Sequence, residues 1–288
     1  MELSLLNIRN RWYWLVLALP LLISCEKEIH VKLPASEPSL VVEGCINNTI
    51  QSLNYVYVSQ TVDYFNPNLS LLGISDANVY VTEGVISGTD TTFDPSNRVE
   101  FFSLTLPDYP SGVYLNPTFI ATAEKVYKLE VIYQGKTVTG ITQIPDSTAI
   151  TEESIQISGE RDGKPQGYLS FTFFDPPGPS YYRIATTVNK FSNMLGFGEA
   201  YQIRRIDDSN LDNQVREYSF TQPYTEGDTV NLYLCRLGVR EYKFWESFAS
   251  AENNAGPFAT PVQLKSTLNG AIGCFSGYNI DYKRVIIQ

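Results

Sequence analysis

Histidine is almost absent from this sequence. The one histidine among 288 residues is His30, in a short charged segment near the N-terminus. A Ser–His–Asp triad or a histidine-ligated metal inside a folded domain is therefore excluded for this chain alone. A Ser–Lys or an all-carboxylate mechanism stays open, and no spacing of the acidic residues indicates a pair of catalytic carboxylates. We expect no catalytic residues, no metal and no cofactor, and we predict that the protein is not an enzyme.

Basic residues are also fewer than acidic residues. There are 21 lysines and arginines against 31 aspartates and glutamates, so the formal net charge is −10. Such a surface repels nucleic acids and anionic lipids. No basic stripe offsets this balance, and we expect no nucleic-acid partner.

Long apolar runs are missing, apart from one stretch from Trp12 to Ile23 that follows Arg9 and Arg11. This stretch is shorter than the roughly 20 residues of a membrane-spanning helix and suits the apolar region of a signal peptide. It ends in Leu22-Ile23-Ser24-Cys25, the pattern of a lipobox. We therefore predict cleavage before Cys25 and lipid on its thiol. A transmembrane anchor or a buried N-terminal helix is the alternative, and length and flanking residues disfavour it.

The residues after Cys25 suggest a destination. Glu26, Lys27 and Glu28 form an acidic cluster that resembles the signal sending Bacteroidota lipoproteins to the outer face of the outer membrane. We expect a lipid-anchored protein of the outer membrane that faces the cell exterior.

Cysteine is scarce beyond this anchor. Cys45, Cys235 and Cys274 remain, and an odd number cannot form a closed disulfide framework. Buried free thiols are the favoured interpretation. A Cys235–Cys274 disulfide stays open, because the cell envelope permits disulfides.

The rest of the chain has the residues and the spacing of β-strands. It contains 19 tyrosines and 15 phenylalanines, and short runs with alternating polarity are separated by Gly, Asn, Asp and Pro. We predict a mainly β fold with four parts: a signal peptide over 1–24, a lipidated tether over 25–37, an immunoglobulin-like antiparallel β-sandwich over 38–146, and a second β-rich domain over 147–288. The predicted strands are Ser39–Ile46, Leu53–Gln60, Asn78–Glu83, Arg98–Leu106, Val126–Gln134, Lys136–Gln143, Ile150–Ser158, Gly167–Phe174, Tyr181–Asn189, Tyr201–Ile206, Val215–Phe220, Thr229–Leu237 and Arg284–Ile287.

Two local features complete this prediction. Gly135-Lys136 indicates a hairpin turn. Aromatic residues at three- and four-residue intervals predict a helix over Val239–Asn253, with Tyr242, Trp245 and Phe248 on one face. That stripe could be a ligand platform, but core packing is the favoured interpretation.

Several segments together resemble a Bacteroidota family of outer-membrane lipoproteins that is catalogued as a domain of unknown function. The resemblance covers nearly the whole chain after Cys25, and family members usually have Trp at the position of Cys45. The last matching segment is close to a family "NGLGVF" motif. The matching segments are Leu40-Val41-Val42-Glu43-Gly44-Cys45-Ile46, Asn78-Val79-Tyr80-Val81, Tyr181-Tyr182-Arg183, the helix near Glu241-Tyr242, and Asn269-Gly270-Ala271-Ile272-Gly273-Cys274-Phe275.

The resemblance implies an accessory role beside a TonB-dependent outer-membrane receptor, and it supplies no catalytic residues or ligand. We therefore expect an accessory or substrate-capture subunit of such a transporter. The alternative is a free-standing adhesin that binds glycans or proteins. Candidate contact residues are the aromatics in turn-rich segments, which could instead plug loops: Tyr64, Phe65, Tyr109 and Phe197.

Replacing the lipidated cysteine tests the anchor. Cys25→Ser should move the protein from the membrane to the soluble fraction, because the acyl chains that hold it are lost. The melting temperature of the released protein should match that of the detergent-extracted parent. Ser24→Ala, which keeps a small residue beside the cleavage site, should stay membrane-bound. A C25S protein that remains in the membrane would contradict the lipid anchor.

Overall fold

A computed structural model describes residues 38–62, 72–104, 110–189, 200–207, 213–254 and 260–288. These residues form a mainly β structure and belong to one unit, Glu37–Gln288. The strands are β1 Leu40–Asn47, β2 Tyr55–Gln60, β3 Asn78–Ser87, β4 Asp90–Ser103, β5 Val113–Leu115, β6 Val126–Tyr133, β7 Lys136–Gln143, β8 Ile150–Arg161, β9 Lys164–Asp175, β10 Tyr181–Val188, β11 Gln202–Asp207, β12 Gln214–Ser219, β13 Tyr224–Thr225, β14 Thr229–Leu237, β15 Leu268–Asn269 and β16 Ile272–Ile286. Helix α1 is Val239–Asn253, and a 3-10 turn spans Gln51–Leu53.

A long main sheet runs through the described residues in the order β11-β10-β14-β16-β1-β2-β5-β4. Two smaller sheets pack on one face of this sheet, and α1 packs on part of the other face, over β10 and β16. The first smaller sheet has the order β4-β3-β6-β7-β15, and β4 belongs to both sheets because its two ends have different neighbours. The second contains β8, β9, β12 and β13.

Successive side chains on a strand point to opposite faces of the sheet, so the main sheet has a separate core on each face. On β1, Val42 and Ile46 enter the first core, together with Val79 and Leu129 of the first smaller sheet. Cys45 points to the opposite face and packs in the cluster beneath α1. The second smaller sheet closes a further core, whose members include Leu169, Phe171, Phe173, Tyr182, Ile184, Leu232 and Leu234.

β16 joins the two parts of the main sheet. Its first half pairs in parallel with β1, from Ile272 opposite Val41 to Tyr278 opposite Asn47. Its second half pairs antiparallel with β14, from Asn279 opposite Arg236 onwards. Both of its faces are covered, since Phe275 lies in the first core while Cys274 and Tyr278 lie beneath α1.

Helix α1 begins after Gly238, which has an extended backbone. Its first turn carries Glu241, and a negative charge at that end of a helix interacts favourably with the helix dipole. Phe244 and Trp245 are buried against the main sheet, whereas Phe248 is 37% exposed. The helix has the predicted bounds, and its aromatic stripe is mostly core. Among the residues described, no helix has the length and apolarity needed to cross a membrane.

The mainly β, sandwich-rich fold is confirmed, with three corrections to its details. The turn predicted at Gly135-Lys136 is one residue off, because Gln134 and Gly135 both have positive φ, at 48° and 74°, as a type I′ turn requires. The final strand begins at Ile272 rather than Arg284, and its pairing with β1 is parallel. Strands β5, β13 and β15 were not predicted.

The predicted division between residues 146 and 147 lies in the connection from β7 to β8. The second smaller sheet lies wholly after this point, whereas the first lies before it except for its edge strand β15, Leu268–Asn269. The main sheet and its strand β16 run through both parts, so the existence of two separable domains stays a prediction.

The contact between β16 and β1 has a strict steric requirement at Gly273. Its φ is +136°, and an added Cβ would lie 1.9 Å from the carbonyl oxygen of Val42. Gly273→Ala should therefore lower the free energy of unfolding by about 3 kcal/mol or more, through backbone strain and the clash together. Chemical denaturation measures this change.

Gly159→Ala is the matched control for Gly273→Ala. Gly159 also has a positive φ, at +109°, but a Cβ there would meet nothing within 4 Å. Only the backbone cost of about 1–2 kcal/mol is expected. Equal destabilisation by the two substitutions would contradict the close approach of β16 to β1.

Candidate functional site

The structure does not test the predicted site residues. Cys25 and the aromatic candidates Tyr64, Phe65, Tyr109 and Phe197 all lie outside the described residues. The candidate site must therefore be sought among the other polar groups and cavities of the chain.

One cluster of chemistry-bearing side chains lies on the face of the main sheet beneath α1. The Tyr55 hydroxyl donates a hydrogen bond of 2.7 Å to Glu43. Burial raises the pKa of Glu43, and the Tyr55 hydrogen bond and the nearby Arg183 charge oppose this shift only in part. Burial also raises the pKa of Tyr55 well above its usual value.

Arg183 provides the positive charge of this cluster. Its guanidinium lies 3.9 Å from the centre of the Trp245 ring and donates to the Tyr278 hydroxyl over 3.3 Å. Residue Arg183 is only 7% exposed. An arginine stacked on tryptophan under a helix is held in one orientation, so its charge acts on a fixed part of the cluster.

The three cysteines Cys45, Cys235 and Cys274 are free and buried in the same cluster. The free-thiol interpretation is thus confirmed over the Cys235–Cys274 disulfide. Burial raises the pKa of each thiol. Reactive cysteines instead have a lowered pKa and some exposure, so these thiols act as small core residues.

A second buried carboxyl ties α1 to the sheet. Glu241 is 4% exposed, and its Oε1 accepts a 3.0 Å hydrogen bond from the Thr142 hydroxyl. That hydroxyl oxygen accepts in turn from the Gly277 amide over 2.9 Å. Burial raises the pKa of Glu241, and its hydrogen bonds and Arg240 oppose the shift.

These groups have structural roles. Trp245 of α1 covers the Arg183 guanidinium, and Phe244 packs in the same cluster. Within the described part of the chain, no group of three or more His, Cys, Asp or Glu residues is placed to hold a metal ion. The hydrogen bonds and the stacked arginine of this cluster therefore stabilise the contact between α1 and the main sheet.

Among the cavities formed by the described residues, two border the loop 116–120 on either side. A cavity of about 290 Å³ lies between the 3-10 turn and the end of β5, and its lining residues are Gln51, Ser52, Asn54, Leu115, Asn116 and Pro117. A more open cavity of about 560 Å³ is lined by Glu83, Ser96, Asn97, Arg98, Val99, Thr118, Phe119 and Ile120. We call the two cavities and the intervening loop the 116–120 surface.

The loop between the cavities is fixed by Asn116. Its Nδ2 donates to the Glu100 carbonyl over 2.8 Å. Its Oδ1 accepts from the amide and the hydroxyl of Thr118, at 2.8 and 2.7 Å. This Asx turn presents Ile120 with 68% of its surface exposed.

Polar groups of the larger cavity are mostly occupied within the protein. The Arg98 guanidinium lies 3.5 Å from the centre of the Tyr80 ring. Glu83 lies 3.5 Å from the Lys125 ammonium and accepts from the Tyr127 hydroxyl over 3.3 Å. These contacts hold the walls of the cavity and leave few groups to bind a ligand.

Sequence reasoning missed the 116–120 surface. Leu53 was read as the first residue of a strand, although it ends the 3-10 turn that borders the smaller cavity. The Asn-Pro pair at 116–117 was an available turn signal. It marks a turn but says nothing about which other segments meet it.

Comparisons with known proteins complete this description. A family model described as "Domain of unknown function (DUF4249)" matches residues 26–284. A comparison with curated proteins found no match. Among solved structures, the chain is similar to a DUF3823 family protein from Bacteroides uniformis ATCC 8492, with 9% sequence identity, 88% of this chain and 100% of that chain covered, and a TM-score of 0.27. A likeness at this TM-score carries no argument about function.

The buried Glu241 carboxyl predicts a pH dependence of stability. Because its pKa is raised in the folded state, its contribution to stability is full below its unfolded value of about 4.5 and is lost as pH rises through the raised pKa. The cost is about 1.4 kcal/mol for each pH unit between the two values. Glu241→Gln keeps an oxygen that accepts from Thr142 and cannot ionise. Denaturant melts from pH 4 to 8 should show a smaller loss of stability for E241Q than for the parent.

Glu246→Gln is the matched control on the same helix, because Glu246 is exposed. Its profile should follow the parent. Parallel profiles for the parent, E241Q and E246Q would show that Glu241 is not the titrating group.

Proposed function

Because the chain belongs to the DUF4249 family over residues 26–284, a family without an assigned function, we propose a function from its own features. It is a surface-exposed lipoprotein of the outer membrane, anchored through Cys25, and it acts as an accessory or substrate-capture subunit of a TonB-dependent transporter. The function depends on binding surfaces and does not involve catalysis.

The anchor half of this proposal is supported by the sequence. Leu22-Ile23-Ser24-Cys25 follows a short apolar run, and Glu26 and Glu28 follow the cysteine. Two or three acyl chains at one cysteine make a stable anchor, whereas one chain binds only marginally. The segment from Cys25 to Ser39 spans at most about 50 Å when extended. The folded part would then work close to the membrane, within reach of a receptor.

The proposed binding role is supported by where the polar groups and the cavities lie. The thiols and the Glu43 carboxyl lie beneath α1, while the 116–120 surface combines two cavities with an exposed apolar side chain, Ile120. Exposed apolar groups next to concave surface are typical of sites that bind a partner or ligand. The exposure of Ile120, at 68%, is the single observation that carries the binding proposal.

The second candidate function is a free-standing adhesin for glycans or proteins. The same cavities favour it, since a cavity can capture a ligand without a transporter. The two functions differ in whether a receptor copurifies with the lipoprotein.

Affinity purification from detergent-extracted membranes tests the proposed role. The tagged full chain should recover a TonB-dependent receptor in a near-stoichiometric amount. Ile120→Glu should reduce that recovery about tenfold or more, because it places a charge in the contact. Western blotting or quantitative mass spectrometry measures the receptor.

Ile157→Glu is the matched control, because Ile157 is 50% exposed on β8, far along the chain from the 116–120 surface. It should leave the recovery unchanged. Recovery of the lipoprotein alone, from cells that make the receptor, would overturn the transporter role and leave the adhesin.

A further inference from the structure

We infer that the free edge of β8 is a docking site for an extended, basic segment of a partner protein, which adds to the second smaller sheet as a new strand. This edge is separate from the 116–120 surface. The inference therefore goes beyond the receptor role proposed above and concerns a second contact of the chain.

Strand β8 has a neighbour on one side only. It spans Ile150–Arg161 and pairs with β9 in an antiparallel ladder. Among the described residues, no other strand pairs with it. The register is uninterrupted from Glu152 to Ile157, and both irregularities of the ladder lie outside this stretch. The strand thus presents a regular edge of six residues.

The direction of the free backbone groups follows from β9. The Leu169 carbonyl accepts from the Phe220 amide over 2.9 Å, on the side of β12. Backbone groups alternate in direction along a strand, so the even-numbered residues of β9 bond to β8. Their partners on β8 are also even-numbered, from Glu152 to Gln156. The amides and carbonyls of the odd-numbered residues therefore point away from β9 and line the free edge: Glu153, Ile155 and Ile157.

The free edge carries apolar side chains on one face. Ile155 packs against the core of the second smaller sheet, and Ile157 is 50% exposed. A Cβ at Gly167 would lie 2.7 Å from Ile155 and 3.1 Å from Ile157, so the two side chains meet over this glycine. Opposite side chains on neighbouring strands lie about 5 Å apart, so an added strand would cover the exposed part of Ile157.

The edge lacks the protection that isolated edges usually have. Unpaired edges are normally blocked by charges, prolines or bulges. On β8 the bulges flank the regular stretch, and the only charges within it are Glu152 and Glu153 at its first end. The sequence Ser-Ile-Gln-Ile-Ser over 154–158 carries no charge and no proline. Strand addition to such an edge is a common mode of peptide recognition.

The side chains of β8 specify the partner segment. Apolar residues fit opposite Ile155 and Ile157, and a basic residue fits opposite Glu152 or Glu153, because opposite charges on neighbouring strands stabilise the pair and like charges destabilise it. A second copy of the chain would bring the same glutamates and the same net charge of −10. A basic segment of another protein is therefore the favoured occupant.

A peptide built to this pattern tests the inference. In an antiparallel register, acetylated Val-Thr-Val-Thr-Lys-Lys places its valines opposite Ile157 and Ile155 and its lysines opposite Glu153 and Glu152. The fluorescently labelled peptide should bind the purified full chain in detergent with saturation, and anisotropy measures its affinity. The same peptide with N-methyl groups on both valines keeps its side chains but loses two N–H donors, so it should bind about tenfold more weakly or worse.

Glu153→Pro tests the edge itself. Proline removes the outward N–H of Glu153 and leaves the bonds to β9, as an edge position allows. The affinity should fall about tenfold or more, whereas Glu153→Gln, which keeps the N–H and loses only the charge, should weaken binding less. Thermal melting checks that E153P is folded.

Glu217→Pro is the matched control on the other edge of the same sheet. Glu217 is exposed on β12 and lies opposite Thr172 of β9. Since even-numbered residues of β9 bond to β8, the Glu217 amide also points away from β9. E217P should bind the peptide as the parent does.

Three peptide results would overturn the inference: no saturable binding, equal binding of the N-methylated peptide, or an affinity that survives a folded E153P. A parent chain that dimerises in sedimentation experiments, with the dimer lost in E153P, would also overturn it, because a second copy would then occupy the edge. The receptor recovery described above depends on Ile120 and not on β8. Peptide binding without a receptor would retain this site and remove the transporter role, and a receptor without peptide binding would do the reverse.

Discussion

The structure depends on the double pairing of β16. Its first half lies parallel to β1, and its second half lies antiparallel to β14, so the last strand of the chain connects the first strand to the second half of the molecule. Parallel neighbours cannot be joined by a tight hairpin and must come from distant parts of the chain. The main sheet is therefore complete only when the C-terminal residues are in place, and its two parts share one continuous layer.

This strand also explains the distribution of polar groups in the interior. Because both faces of β16 are covered, Phe275 enters the first core and Cys274 and Tyr278 meet α1. Polar groups on such a strand, including its backbone amides, need internal partners. Thr142 meets this need by accepting from the Gly277 amide while it donates to Glu241. Glu241 and the stacked Arg183 thus hold α1 against the sheet.

The predictability of each element follows from its burial. Strands β6 and β7 and helix α1 have one buried face each, so alternation or helical spacing showed them in the sequence. Strand β16 begins Ile-Gly-Cys-Phe-Ser-Gly-Tyr, and burial of both faces removes the alternation that would have marked it. The smaller cavity was hidden for another reason. It joins the segments around Asn54 and Leu115, which only the β2–β5 pairing brings together, and the rule that selected aromatics in turns could not find an asparagine beside a strand.

The geometry of the smaller cavity also depends on β16. Asn47, which orients Asn54, is the last residue of β1 and lies opposite Tyr278 of β16. The Ile280 amide donates to Asn48 Oδ1 over 3.0 Å, and the Ile280 carbonyl accepts from Thr49, so β16 holds both sides of the segment that carries the 3-10 turn. A site built on paired strands keeps its donors in place more precisely than one on free loops. The Asn54 side chain, whose Oδ1 accepts from Asn47, is thus held beside the cavity by the pairing that completes the main sheet. Recognition of a ligand there would depend on β16 although none of its residues lines the cavity.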